Sequence, residues 1–323
     1  MQKDDSKCVV LTCNSGFLNP TLFVCNKLLN ITDRTFDIII CSGEDLSDMV
    51  PDGVSFRLID TDSFTRNLPQ IERLKQYTYW RIPAIESLSD TYEKILYLDS
   101  DIYISDPQFF SKIFDLTTET STISAVRDVH QITKPRRSPR ENENLGLPWA
   151  PYFNAGVLLI HSGNWRKHDY YRNIANIAEK YRNSLFCHDQ SLLNLASGGE
   201  WTELSPAWNW QYSRRNCYHT EALSPVLIHF AGRIKLWDAA DGQIPRRYWD
   251  DFRAYQRSAT DRSIPGTYPH NDRTYSQKWF VNLLKNLWYF GKQWDYIRRF
   301  ETPLHTVNHR RLFELELSTS PER

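Results

Sequence analysis

The stretch Lys94-Ile95-Leu96-Tyr97-Leu98-Asp99-Ser100-Asp101 decides the fold. Ile95 to Leu98 read as a buried strand, and Ile102 and Ile104 continue the apolar run beyond two carboxylates. Extended backbone alternates its side chains, so Asp99 and Asp101 point the same way. Two converging carboxylates repel unless a cation lies between them. Hard divalent ions take such oxygen ligands and bridge readily to phosphates. A solvated turn after a strand would use the same pair, so the context carries the reading: burying carboxylates without partners is costly.

Working outward, Cys8 to Thr12, Phe36 to Cys41 and Val54 to Ile59 are further buried strands. Between them, Thr21 to Ile31 carries Leu22, Val24, Cys25, Leu28 and Leu29 at helical spacing, and Gln76 to Leu88 also reads as a helix. Repeated β-α-β units predict a mainly parallel sheet with helices on both faces. Ligands of such sheets bind beyond the carboxyl ends of the strands. Later come a strand from Phe153 to Ile160, which alone reads as an edge strand, and a polar helix from Trp165 to Tyr181. Asp189 to Ala196 is helical, and Val226 to Phe230 is a late strand. Thr133 to Pro148 is charged and contains Pro135, Pro139 and Pro148, the pattern of a mobile surface loop.

Three further segments carry chemistry. In Ile228-His229-Phe230-Ala231-Gly232-Arg233-Ile234-Lys235, an imidazole leaves a strand, Gly232 permits close approach of backbone to a phosphate, and Lys235 supplies a compact positive charge. A core histidine and a surface lysine are the plainer alternative. Asn154 and Gly156 stand at the mouth of the Phe153 strand, where they would bond sugar hydroxyls. His188-Asp189-Gln190 opens a helix, where Asp189 would otherwise be a simple N-cap.

Together, in this order, the segments resemble the retaining glycosyltransferases of family eight, which include glycogenin and bacterial lipopolysaccharide galactosyl- and glucosyltransferases. The matching stretches are Lys94 to Asp101, Tyr152 to Asp169, Asp189-Gln190 and His229 to Trp237. The resemblance implies a GT-A nucleotide-diphospho-sugar transferase fold (α/β, Rossmann-like, with a mainly parallel sheet), Mn²⁺ with Mg²⁺ as the alternative, and a UDP-sugar donor. By the same resemblance Asp99, Asp101 and His229 are metal ligands. Thr12, Asn14, Arg81, Ser100, Asn154, Ala155, Gly232 and Lys235 contact the nucleotide-sugar. Asp189 and Gln190 line the donor sugar and form the catalytic pair, and Asp128 is an acceptor-side carboxylate. Asn14 stands where the family usually has Asp, and Leu236 replaces a usual proline.

The implied function is transfer of a hexose, glucose or galactose, to a glycan or glycolipid acceptor in lipopolysaccharide or other cell-envelope glycan synthesis. A catalytically inactive sugar- or nucleotide-binding module of the same fold is the alternative. A metal-dependent phosphohydrolase would need a water-activating base, and none is apparent. Lys plus Arg and Asp plus Glu both number 39 in 323 residues, which excludes a whole-protein charge argument for nucleic acid as a partner. Six cysteines without a C-x-x-C pair predict free thiols in a reducing compartment. No signal peptide and no apolar run of about 20 residues is evident, so a cytoplasmic location is expected, peripheral on the inner membrane. The expected domains are a catalytic domain over 1–257, a linker over 258–275 and a basic-aromatic helical tail over 276–323. In the tail Lys278, Lys285 and Lys292 recur at seven-residue intervals among Trp279, Phe280, Leu284, Leu287, Trp288 and Trp294, a pattern suited to an anionic membrane surface.

Overall fold

A computed structural model describes residues 6–315 except 66–67, 69–75, 117–119, 214–215, 217–218, 221–222, 233–234, 238–243 and 260–271. The side chains of 259 and 272–282 also lie outside the description, and with them the expected contributions of Lys278, Trp279 and Phe280.

Eleven strands are described: β1 Lys7–Thr12, β2 Asp37–Ser42, β3 Ser55–Leu58, β4 Lys94–Leu98, β5 Ile102–Ile104, β6 Ile123–Arg127, β7 Phe153–His161, β8 Thr202–Leu204, β9 Trp210–Gln211, β10 Leu227–His229 and β11 Thr306–Asn308. Eight form one sheet in the order β11-β8-β6-β7-β4-β1-β2-β3, and β5-β10-β9 form a second. The β1–β2, β2–β3, β1–β4 and β6–β8 pairs are parallel, while β7 runs antiparallel to both neighbours and β11 antiparallel to β8. The large sheet is thus largely parallel, interrupted at its centre by one reversed strand.

Alternation explains the two cores. Cys8, Val10, Ile95 and Tyr97 point to one face, where they meet Ile82, Ile85 and Leu88 of helix α1 (Arg81–Leu88). Val9, Leu11, Leu96 and Leu98 point to the other and meet Val24 and Leu28 of the helix Leu18–Leu29. Each such side chain, fully buried, contributes about 1.5–3 kcal/mol against exposure. A strand buried on both faces reads as a continuous apolar run, the form seen in the sequence of β1, β2 and β4.

Several expectations are corrected. The strand from Phe153 is not an edge strand but the central β7, flanked by β4 and β6. The third strand, β3, is the edge of the sheet and only half-buried. The helix over Trp165–Tyr181 is two helices, Ser162–Lys167 and α2 (Tyr170–Tyr181), parted at Asp169, whose φ of 44° is left-handed. The segment from 133 to 148 is not a mobile loop. It follows helix α3 (Val129–Thr133) and contains helix α4 (Arg140–Asn144). Glu141 and Asn142 are buried there: Asn142 donates to the Pro148 carbonyl at 2.8 Å, and Glu141 accepts from Ser191.

Helix α5 (His188–Ser197) precedes β8 inside the expected catalytic domain, and the expected linker, 258–275, comes well after it. Helix α6 (Arg246–Ala259) and helix α7 (Asp272–Ile297) occupy the linker's described flanks. After α7 the chain returns to the sheet as β11, whose Val307 stands opposite Glu203. Three side chains secure that return. Arg127 donates twice to the buried Glu203, at 2.7 and 2.7 Å, and His309 Nε2 lies 2.6 Å from the same carboxylate. Burial alone would raise Glu203, but His309 and Arg127 override it and hold the carboxyl at about 2.

Candidate active site

Strand polarity assembles the site. β1, β4 and β6 run the same way, so Thr12, Asp99 and Asp128 all lie at or just beyond one sheet edge. Because β7 is antiparallel, its beginning lies at that same edge, which brings Asn154 and Ala155 beside them. The Asp99 amide donates to the Gly156 carbonyl at 2.9 Å. The small sheet delivers the imidazole: β10 pairs antiparallel with β5, His229 stands opposite Ile102, and the Phe230 amide donates to the Asp101 carbonyl at 3.1 Å. One ligand atom each of Asp99, Asp101 and His229 thus lie within 4.8 Å of one another. His229 Nε2 is 3.1 Å from Asp101 Oδ1 and 3.7 Å from Asp99 Oδ2.

A chain of amides fixes the direction of that imidazole. Gln190 Oε1 accepts from the Ala155 amide at 3.0 Å, and Gln190 Nε2 donates to Asp128 Oδ2 at 3.3 Å. Asn154 Oδ1 accepts from the Gly156 amide at 3.1 Å, while Asn154 Nδ2 donates to Gln190 at 3.2 Å. Asn209 Nδ2 donates to Asn154 Oδ1 at 2.9 Å, which leaves Asn209 Oδ1 facing His229 Nδ1 at 3.0 Å. An amide oxygen only accepts, so Nδ1 carries the proton, and the lone pair by which the ring can bind a metal is the one on Nε2, turned toward the carboxylates.

Asp101 Oδ1 is buried and has no hydrogen-bond partner. An imidazole lone pair facing a carboxylate oxygen is repulsive without a cation between them. One nitrogen and two carboxylates make a donor set that Mn²⁺ or Mg²⁺ accepts. Gly156 lets the ring in: a Cβ there would fall 2.1 Å from His229 Cε1 and 2.9 Å from Asp99 Oδ2. Burial works to raise the Asp101 carboxyl, but with no ion bound, His229 in its doubly protonated form and Lys235 beside it hold the carboxyl well below the usual carboxylate range.

Arg81 lies behind the acids. It is buried, 3.0 Å from Asp99 Oδ1 and 2.9 Å from Asp189 Oδ2, and also donates to the Ala155 carbonyl. Its guanidinium stacks on Tyr97, with its carbon 4.7 Å from the ring centre. Asp189 is therefore an ion-pair partner in the first turn of α5, not its N-cap. Burial pushes the Asp189 carboxyl up to about 6, with Arg81 opposing.

The other sequence-derived candidates divide. Lys235 reaches Asp101 and donates to the Phe230 carbonyl at 3.1 Å. Thr12 reaches the cluster through Tyr97: its hydroxyl lies 3.1 Å from Tyr97 Oη, which donates to Asp99 Oδ1 at 2.9 Å. Ser100 Oγ lies 2.9 Å from Thr21 Oγ1. Asn14 caps the short helix Ser15–Phe17, its side-chain oxygen accepting from the Phe17 amide at 3.2 Å. A Cβ on Gly232 would meet nothing within 4 Å, so no described residue is drawn close around it. Asp128 and Gln190 open onto a cavity of about 340 Å³, also lined by Tyr152 and Phe186.

Sequence reasoning missed Asn209 and the steric role of Gly156. Asn209 stands between Trp208 and Trp210 in a stretch without a recognisable signature. Its available signal was an amide enclosed by large apolar residues, a position that demands a polar partner.

The sequence pattern described as Glycosyl transferase family 8 matches residues 8–241, a span that contains every site residue named above. The chain belongs to glycosyltransferase family 8. The family 8 chain is 25% identical over 201 residues to General stress protein A of Bacillus subtilis, a match covering 58% of this chain and 67% of that one. It is 24% identical over 203 residues to glycosyltransferase GlyF of Streptococcus pneumoniae, a match spanning only 46% of that relative's length. Its fold resembles that of the galactosyltransferase LgtC, solved with donor and acceptor sugar analogues, with a TM-score of 0.62 at 18% identity. That match covers 78% of this chain and 99% of LgtC, and makes the fold of the family 8 enzyme GT-A.

Proposed function

We propose that this glycosyltransferase moves a hexose, glucose or galactose, from a UDP-sugar to an acceptor glycan hydroxyl with retention, and depends on Mn²⁺. The observation that carries the reading is the meeting of the half-buried Asp99 with the buried Asp101 and Nε2 of the buried His229, with Lys235 alongside. When bound there, a divalent ion supplies Lewis-acid stabilisation to a departing diphosphate. Lys235 adds a fixed cation to that charge, and Arg81 holds Asp99 and Asp189 in place.

In the proposed step, the bond from the anomeric carbon to the diphosphate oxygen breaks, and its electron pair stays on that oxygen. The acceptor oxygen bonds to the same face of the carbon, and its proton passes to the departing phosphate. A covalent sugar intermediate would need a free nucleophile. Gln190 Oε1 is occupied by two N–H donors, and Asp189 is held by Arg81, which supports the front-face route.

Cell-envelope glycans are the proposed acceptor class, reached from a membrane surface. No described helix is long and apolar enough to cross a membrane. Helix α7 instead leaves Leu284, Leu287 and Trp288 exposed, Trp288 by 71%, with Lys292 beside that indole. Apolar and basic residues so arranged suit a lipid interface.

A panel of nucleotide sugars incubated with Mn²⁺ and acceptor glycans tests the reading. Release of nucleoside diphosphate from a UDP-hexose, abolished by chelation, supports it. Absence of release from every nucleotide sugar, with the protein folded, counts against it.

A further inference from the structure

We infer that the acceptor of this enzyme carries phosphate, held in a basic trough between the segment after α3 and helix α7. The inference rests on the transferase reading above and names the acceptor's chemistry. A cavity of about 590 Å³ lies there, lined by Lys134, Arg136, Arg137, Lys292 and Arg299, with Asp295 as its one carboxylate. Asp295 is already paired with Arg298 at 2.8 Å. Lys134, Arg136 and Arg137 are exposed and have no carboxylate within ion-pair distance among the described residues. The trough wall contains Arg127 as well, but Glu203 behind it pairs with Arg127 at 2.7 Å and with Arg299 at 3.8 Å, so the unbalanced charge lies on Lys134, Arg136, Arg137 and Lys292.

The trough is continuous with the acceptor side of the active site. Gln131 and Arg137 line both it and the 340 Å³ cavity onto which Asp128 and Gln190 open. Gln131 is itself locked, donating to the Ala150 carbonyl at 2.8 Å and accepting from the Tyr152 amide at 2.8 Å, so it forms a fixed saddle between the two spaces. A sugar hydroxyl presented to Gln190 would place the next part of the acceptor over Gln131 and its anionic part among the cations. Several unneutralised cations exceed what one carboxylate balances and match a phosphate mono- or diester, whose oxygens take charge-assisted hydrogen bonds from both lysine and arginine. The whole chain has zero formal charge, so this concentration is local.

The test uses the full chain with its donor site filled by UDP and Mn²⁺, and titrates four probes calorimetrically. These are geranyl-diphospho-glucose, geranyl glucoside, glucose 6-phosphate and glucuronate. The comparison protein carries Lys134→Ser, Arg136→Ser and Lys292→Ser together, all on exposed side chains that line the trough and not the 340 Å³ cavity, although Lys292 also lies beside the Trp288 indole. The inference predicts binding of the phosphate probes, weakened about tenfold or more in the variant and by added salt. Binding of both phosphate probes means that phosphate is recognised without lipid; binding of geranyl-diphospho-glucose alone points to a lipid-linked source; each supports the inference. Equal binding of geranyl glucoside or glucuronate overturns it, and so does unchanged phosphate affinity in the variant. Flotation with phosphatidylglycerol vesicles separates a membrane contact: loss of flotation in the variant without a change in probe affinity also overturns it. UDP affinity in the presence of Mn²⁺ is read separately. If neither protein binds UDP, the transferase reading fails; if both bind it equally and the phosphate probes do not respond, only this inference fails.

Discussion

The backbone of Gly156 lies against the imidazole of His229, so close that a methyl group would fall 2.6 Å from Nδ1 and 2.1 Å from Cε1. The ring has no room to retreat, since it is buried and its Nδ1 is tied to Asn209 at 3.0 Å. Gly156→Ala is expected to displace His229 and Asp99 together. Stability should fall by about 1–3 kcal/mol, as overpacked sites do, while Mn²⁺-dependent release of nucleoside diphosphate drops about 100-fold or more. Melting curves and a donor-turnover assay on the same preparation check both. Normal turnover in a stable Gly156→Ala protein would show that His229 need not stand where it does.

Asn209 acts through His229. Asn209→Leu removes the oxygen that keeps the proton on Nδ1, so the ring no longer presents Nε2 in one fixed state. Mn²⁺ affinity, followed by the electron paramagnetic resonance of the free ion, should weaken about 10- to 100-fold. A variant that binds Mn²⁺ as tightly as the parent would remove Asn209 from the account.

Lys235 and the metal ligands should separate kinetically. Lys235→Ala leaves Asp99, Asp101 and His229 in place, so Mn²⁺ binding should survive or tighten as Asp101 loses a competing cation. Turnover should fall about 100-fold, the scale for losing a fixed charge at a leaving group. A rise in KM for the donor with kcat unchanged would instead make Lys235 a ground-state contact alone.

Glu203 is a stability residue with a defined pH window. Its carboxyl is held at about 2, below its ordinary value, by His309 and Arg127 against the effect of burial. A depressed carboxylate contributes stability fully above its unfolded pKa and loses it as pH falls through the folded one. The contribution should therefore be complete above about pH 5 and fade toward pH 2. Glu203→Gln leaves the buried Arg127 without its partner and should cost about 3–5 kcal/mol near neutrality. The difference in melting temperature between parent and variant should shrink as pH is lowered through that window. A constant difference would place the stabilisation elsewhere.

The fold was legible where strands are buried on both faces, because β1, β2 and β4 then read as unbroken apolar runs. The acids at the end of β4 were legible because they interrupt such a run. β7 was misread as an edge strand, since an apolar run does not record how many neighbours a strand has. The segment from 133 to 148 looked mobile from its prolines and charges. Its order comes from Glu141 and Asn142, whose partners Ser191 and Pro148 meet them only in the folded chain. Asn209 was invisible for the same reason: its role is defined by His229, 20 residues away, and Asn154, 55 residues away.

The central claim is that two acids and one imidazole hold a single divalent ion that grips a diphosphate. Crystals grown with MnCl₂ and UDP, measured for manganese anomalous scattering, test it most directly. The account predicts one strong peak bounded by Asp99, Asp101 and Nε2 of His229, with the diphosphate of UDP completing the shell beside Lys235. A peak bound to the nucleotide but remote from His229, or UDP bound with no manganese at the cluster, would contradict it.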